Sequence, residues 1–301
     1  MSASNGIPVI LNCRAGGQAV NDMTERLSVL FKEAKLPAAL IVAGEHQDLS
    51  RVVQRALAAR PAMIVAAGGD GTINAVASEV VGTDTILGVL PMGTLNHFAR
   101  DLHIPTGLSE AIATLGSGTT ARIDVGEVNG RIFLNNSSLG LYPSLVHHRE
   151  QQQMRLGRGK WRALLWSALL LLRHYPLLTV RVRVDNTDFT CRTPLVFVGN
   201  NEYRMQGLDI GIRERIDEGV LSLYIPRREG RFGLFRIAFR ALFKRLRRSD
   251  DFEALRAGEF TIDTRRRQVR IATDGEVNMT ATPVRYRIRP GALLVRVPRT
   301  A

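Results

Sequence analysis

"VAAGGDGTINAVASEV", residues 65–80, carries an apolar, strand-like stretch into Gly68, Gly69, Asp70 and Gly71 and then into a helical pattern. An ordinary helix start needs a single polar capping residue. Three glycines around one carboxylate ask for more. Glycine takes positive φ without strain, and its bare N–H lets a phosphate come within hydrogen-bonding distance. The helix that follows presents the positive end of its dipole to the same anion. A carboxylate beside phosphates needs a cation between them, so Asp70 reads as a group for Mg²⁺ or for a hydrogen-bond network. Thr72 can cap the helix or bond a phosphate. The plain alternative is a strand-to-helix turn capped by Asp70 or Thr72. Asn74 stands where a dinucleotide fingerprint has its third glycine, and no GxxxxGK[ST] occurs, which sets aside a Walker-type ATPase.

Working outward, residues 7 to about 125 alternate short apolar runs with helical ones. "IPVILNC", "AALIVA", "AMIVAAGG" and "TILGVLP" read as strands, and 20–35, 47–59 and 72–81 as helices. Such alternation predicts βαβ units around a parallel sheet, a Rossmann-like three-layer domain over 1–125. The turn at 68–72 then falls on the ligand-binding edge beyond the strands' carboxyl ends. A second strand, turn and helix, "LPMGTLNHFARDL" at 90–102, brings Gly93, Thr94 and Asn96 to that edge. Beyond 125 the period changes to two. "TVRVRV" and "RYRIR" put apolar side chains on one face and arginines on the other. Residues 126–301 are therefore expected to form a mostly antiparallel sandwich, with helical insertions at 150–175 and 231–247 and a nucleotide cleft between the two domains.

The composition narrows the partners. At 301 residues and 45% hydrophobic, the chain can fill two cores. Its net charge of +13 implies an anionic partner: nucleic acid, an anionic membrane surface or a phosphorylated small molecule. Nearly all of that charge is arginine, which suits bidentate phosphate contacts and equally suits a base-composition origin. Two cysteines, Cys13 and Cys191, make no disulfide framework, and the N-terminus lacks a secretory pattern, so a cytoplasmic protein is expected, with peripheral membrane contact open. The longest apolar run, "ALLWSALLLL" at 163–172, is half of a bilayer span, so no transmembrane segment is expected. No zinc-finger spacing or RNA-binding aromatic signature occurs, which sets nucleic acid aside. A homodimer is left open.

"GGDGTINAV" followed by "LPMGTLNHFARDLHIP" resembles the catalytic domain of the diacylglycerol kinase family, which includes sphingosine kinases and soluble bacterial lipid kinases. "LNCRAG" at 11–16, "VFVGNN", "RIDEGVLSLYI" and "TDGE" at 273–276 match further parts in order. The resemblance implies ATP and Mg²⁺ as cofactors, with the phosphates on Gly68, Gly69, Asp70, Gly71 and Thr72, and with Asn12, Gly93, Thr94 and Asn96 lining the nucleotide. It implies Glu276 as general base beside Asp70 as a second catalytic group. It also implies a structural Mg²⁺ near Asp217, Glu218 and the backbone carbonyl of Val220. Three positions depart from the family pattern: His97 where Asp is common, Glu218 for the second Asp of a pair, and Cys13 for proline.

The implied activity is phosphorylation of a primary hydroxyl on a membrane lipid, with diacylglycerol to phosphatidic acid as the leading case. "RFGLFRIAFRALFKRLRRS" at 231–249 carries Phe232, Phe235, Phe239, Leu242 and Leu246 on one helical stripe and basic residues on another. It reads either as an interfacial helix on anionic lipid or as a helix packed on the sandwich. The segment around Trp161 and Trp166 reads as one wall of a lipid cleft or as core. Two other functions stay open: a nicotinamide nucleotide kinase using the same glycine-aspartate turn, and a basic nucleic-acid or membrane-surface binding module without catalysis.

Overall fold

The computed structural model describes residues 6–12, 17–44, 48–140, 177–185, 187–206, 209–213, 215–226 and 252–299. Cys13 and both expected helical insertions, 150–175 and 231–247, lie outside the described residues. The chain divides into two compact units, Met1–Val125 with Arg289–Ala301, and Gly126–Ile288.

The first unit runs β1 (Ile7–Leu11), α1 (Gly17–Glu33), β2 (Ala38–Val42), α2 (Leu49–Leu57), β3 (Met63–Gly68), α3 (Asp70–Val80), β4 (Ile86–Pro91), α4 (His97–Asp101) and α5 (Leu108–Ser117). The strands lie in the order β2-β1-β3-β4 and every pair is parallel. β3 is buried along its whole length, as expected of a continuous apolar run covered on both faces. Right-handed crossovers send α1 to one face and α2 and α3 to the other. The packing agrees, since α2 lies against α3 and α1 against α5. This is the three-layer α/β arrangement that the alternating pattern implies.

The second unit contains the end of β5 (Thr119–Val128), then β6 (Arg131–Phe133), β7 (Asn136–Gly140), β8 (Leu178–Val184), β9 (Thr187–Thr193), β10 (Leu195–Asn200), β11 (Tyr203–Gln206), β12 (Asp209–Arg213), β13 (Leu221–Pro226), β14 (Phe252–Ala257), β15 (Glu259–Thr264), β16 (Gln268–Thr273), β17 (Glu276–Ala281) and the start of β18 (Val284–Val297). One layer is an antiparallel sheet in the order β14-β13-β10-β7-β16-β17. The other pairs β18, β15, β8 and β9, again antiparallel. Val180, Val182, Phe260, Ile262, Val284 and Tyr286 face Leu139, Val196, Val198, Leu221, Leu223 and Ile271 in one core. Arg181, Arg183, Arg285 and Arg287 point outward from β8 and β18, the alternation that "TVRVRV" and "RYRIR" carry.

Sequence reading assigns all of 126–301 to the second domain, but 289–301 belong to the first unit. The reason is the length of β18, which has 14 residues. Its first part pairs with β15 inside the sandwich, and its last part lies parallel to β4, with Val295 opposite Leu87. Between them Gly291 takes φ +56, and its N–H donates to the buried Asp124 carboxylate at 2.8 Å. Pattern alone shows two-residue periodicity throughout and cannot show a change of partner.

Phe133 is fully buried, edge-on to Tyr286 at 6.3 Å. Replacing it with alanine leaves a ring-sized void in the sandwich core. Phe133→Ala is expected to lower unfolding free energy by about 3–5 kcal/mol, read by urea denaturation.

Candidate functional site

The connection direction of the first unit reverses at β1, whose crossover leads to β2 on one side while the next leads back to β3 on the other. In open α/β sheets, ligands bind beyond the carboxyl ends of the strands at such a point. Asn12 follows β1 there, and Gly68–Thr72 follow β3. The Asn12 backbone N–H donates to Ala67 at 3.1 Å, and its Nδ2 donates to Thr72 Oγ1 at 3.1 Å. Gly69 is the N-cap of α3, and no side chain caps it. The helix thus opens with backbone amides and its positive dipole end as donors toward this edge.

The turn after β4 is held by its own asparagine. Asn96 is buried and left-handed, at φ 49; its Oδ1 accepts from the Gly93 N–H at 2.8 Å and its Nδ2 donates to the Gly93 carbonyl at 2.9 Å. Its amide therefore shapes the turn. Thr94 and His97 are exposed. Asp70 links the two turns, its Oδ1 accepting from the Phe98 N–H of α4 at 3.3 Å. One such bond leaves a carboxylate with further acceptor capacity, which suits a phosphate-bound cation.

The glycines have a different origin from the one expected. None of Gly68, Gly69, Gly71 and Gly93 has positive φ, and Gly69 sits at −84. At Gly68 and Gly93 close approach is the constraint. A Cβ on Gly93 would lie 2.7 Å from Gly69 Cα, and one on Gly68 would lie 2.6 Å from Thr72 Oγ1. The two turns pack main chain against main chain.

In the second unit, β16 and β17 form a two-residue hairpin with Thr273 opposite Glu276. Asp274 and Gly275 supply φ +48 and +88, as a tight hairpin of this twist requires. Glu276 opens β17 and is exposed. Its neighbour was the residue that motif reading passed over. The Asp274 carboxylate accepts from three consecutive backbone N–H groups, Leu134 at 2.7 Å, Asn135 at 2.9 Å and Asn136 at 3.0 Å. The same segment is gripped through its oxygens by Arg213, which is 4% exposed. Arg213 Nη1 donates to Leu134 O at 2.6 Å and to Asn200 O at 3.2 Å, and Nη2 donates to Asn135 Oδ1 at 3.0 Å. Tyr203 lies under the guanidinium, 5.7 Å from ring centre to Cζ, and donates its hydroxyl to Asn135 O at 2.9 Å.

The acidic residues Asp217 and Glu218 are exposed on the loop before β13. Arg215 Nε donates to Asp217 Oδ1 at 3.1 Å. The Asp217 hydrogen bond and charge hold the Arg215 guanidinium above its ordinary pKa, and Glu218 adds to the effect. Buried Asn201 accepts the Glu218 N–H on its Oδ1 at 3.2 Å and donates its own N–H to the Val220 carbonyl at 3.0 Å. Among the described residues, no group of three His, Cys, Asp or Glu side chains is placed to hold a metal ion. None of the described helices is long and apolar enough to cross a membrane.

Comparison with known proteins reads both units the same way. Residues 7–128 match the diacylglycerol kinase catalytic domain, and 144–297 match the YegS C-terminal NAD kinase beta sandwich-like domain. A Pseudomonas aeruginosa protein described as "Probable lipid kinase YegS-like" is 33% identical over 70% of this chain and 69% of its own length. A Cronobacter sakazakii protein of the same description is 27% identical over 99% of this chain and 98% of its own. A Staphylococcus carnosus diacylglycerol kinase is 26% identical over 72% of this chain and 71% of its own. A crystal structure of a diacylglycerol kinase from Bacillus anthracis str. Sterne superposes with a TM-score of 0.69 at 20% identity, covering 99% of both chains, and so shares the fold. The match of the parallel α/β unit to a kinase catalytic domain places the chain among the kinases. The chain belongs to the YegS-like and diacylglycerol kinase family of lipid kinases.

Removing the Asp274 carboxylate strands three amides that now point at it. Asp274→Ala is expected to cost about 2–4 kcal/mol of stability. Hydrogen exchange at residues 134–136 should accelerate in step, whereas unchanged exchange there would separate the hairpin from the segment it holds.

Proposed function

We propose that this protein transfers the γ-phosphoryl group of ATP, with Mg²⁺, to a primary hydroxyl of a membrane lipid, and that diacylglycerol, yielding phosphatidic acid, is the leading acceptor. The observation that supports this most is the pair of glycine turns packed main chain to main chain beside the uncapped start of α3. Phosphoryl transfer asks a protein chiefly for alignment and charge neutralisation. The amides at the uncapped start of α3 and the helix dipole would supply both for the phosphates, with Asn12 and Thr72 locked to each other at the same edge. Asp70, whose carboxylate accepts one N–H bond from Phe98, would share Mg²⁺ with them, and the ion would offset the charge of the transferring group.

In the reaction the acceptor hydroxyl oxygen bonds to the γ-phosphorus as the bond to the β–γ bridging oxygen breaks, so that ADP leaves. The hydroxyl proton goes to the Glu276 carboxylate. Glu276 suits the task because the Asp274–Gly275 turn fixes its backbone while its side chain stays open to solvent and substrate. The excess positive charge of the chain favours work at an anionic bilayer, where such acceptors reside.

The test is incubation of the purified protein with labelled ATP, Mg²⁺ and mixed micelles of diacylglycerol, with NAD offered separately because the sandwich match is named for NAD kinase. Labelled phosphatidic acid is the expected product. Label in the nicotinamide nucleotide and none in lipid would replace this reading with the nucleotide-kinase one. Glu276→Gln should lower kcat by roughly 10²- to 10⁴-fold with ATP binding retained. Asp70→Asn should raise the KM for Mg-ATP as well. Gly93→Ala forces a methyl into Gly69 and should weaken binding of a fluorescent ATP analogue at least about tenfold.

A further inference from the structure

The loop that resemblance assigns to a structural Mg²⁺ is already tied, and one of its two carboxylates is already paired with an arginine. A divalent cation of this kind takes about six oxygens and draws clustered carboxylates together. Of the three groups expected to bind it, the Asp217 carboxylate is engaged by Arg215 at 3.1 Å, and the Val220 carbonyl accepts from Asn201 at 3.0 Å. Glu218 turns its backbone N–H to Asn201 Oδ1, and its side chain is exposed. Asn201, at 0% exposure, thus clamps the loop at two points without any ion. An ion added beside Asp217 would have to displace a guanidinium or sit next to it, and like charges that close repel.

A few residues earlier the chain buries a second guanidinium. Arg213 reaches Leu134 O, Asn200 O and Asn135 Oδ1 at once. Gathering oxygens from two separate stretches of chain is the service a bound metal gives a fold. The planar fork of arginine can do it because it carries five donors.

We propose that the loop before β13 needs no structural divalent cation, because Arg215 engages Asp217 and offsets one of the two carboxylate charges there, Asn201 ties the loop at two points, and Arg213 cross-links the neighbouring chain through Leu134 O, Asn200 O and Asn135 Oδ1. The inference takes from the lipid-kinase reading only the expectation of Mg²⁺ at this loop. It concerns folding and leaves the Mg²⁺ that accompanies ATP untouched.

The experiment uses the full chain in the Asp70→Asn background, so that the nucleotide-side carboxylate offers no site, stripped with EDTA and free of nucleotide and lipid. Melting is followed with and without 5 mM Mg²⁺ (about a physiological excess), and Mn²⁺ is titrated with detection by electron paramagnetic resonance. An ion bound at one hundred times its Kd would raise Tm by roughly 5 °C or more. The expected shift is below about 1 °C, within the range of non-specific ion effects, with no stoichiometric Mn²⁺. Arg215→Gln, at an exposed position that leaves the fold intact, should lower Tm by about 1–3 °C and make the melting respond to Mg²⁺. One Mn²⁺ per chain in the parent, or a rise of several degrees with Mg²⁺, would overturn the proposal. So would an Arg215→Gln protein with neither a lower Tm nor a new response. Because no ATP or acceptor is present, failure of the phosphotransfer assay would leave all these readings unchanged.

Discussion

The carboxyl-end edge of the α/β sheet depends on two turns approaching more closely than side chains allow. Gly69 and Gly93 meet at their main chains, and a single methyl on Gly93 would come within 2.7 Å of Gly69 Cα. From that contact follow the other features of the edge. Asn96 must be left-handed to close the second turn around Gly93, and Phe98 can then offer its N–H to Asp70. Asn12 and Thr72 complete the row from β1 to β3. A binding edge made of main chain is rigid and indifferent to side-chain rotamers, which suits a ligand recognised through its charge.

The second unit solves a related problem with ions. The segment 134–136 presents N–H groups to an anion, Asp274, and oxygens to a cation, Arg213. Each charge is satisfied by peptide dipoles, the condition under which a charge taken from water does not penalise the fold. The Asp-Gly-Glu turn is thereby anchored at its first residue while its last remains accessible. Anchoring falls to Asp274, which leaves Glu276, two residues on, open to solvent.

Much of this architecture was legible because it is local. β1 to β4 announce themselves as apolar runs, and "GGDG" and "MGTLN" mark where two of them end, so the α/β half and its binding edge follow from spacing. The arginine alternation in β8 and β18 likewise carries the sandwich. What stayed hidden is long-range. Asp274 meets residues separated from it by 138 to 140 positions, and Arg213 meets Leu134 across 79, so no window of sequence contains either set of partners. The glycine turns show a third kind of limit. Their composition was read correctly as special, but positive φ and close approach leave the same letter in the sequence, and only coordinates separate them.

β18 starts among sandwich strands and finishes beside β4, which makes the α/β unit discontinuous in the chain. On the ribosome, that unit cannot acquire its last strand until the sandwich has been synthesised. The intervening sandwich has all of its strands sooner, so folding need not proceed in order from the N-terminus. A fragment ending at Val125 would expose the edge of β4 that Val295 covers, an unpaired parallel edge open to association with other chains. The two halves of this kinase therefore do not separate at a single cut.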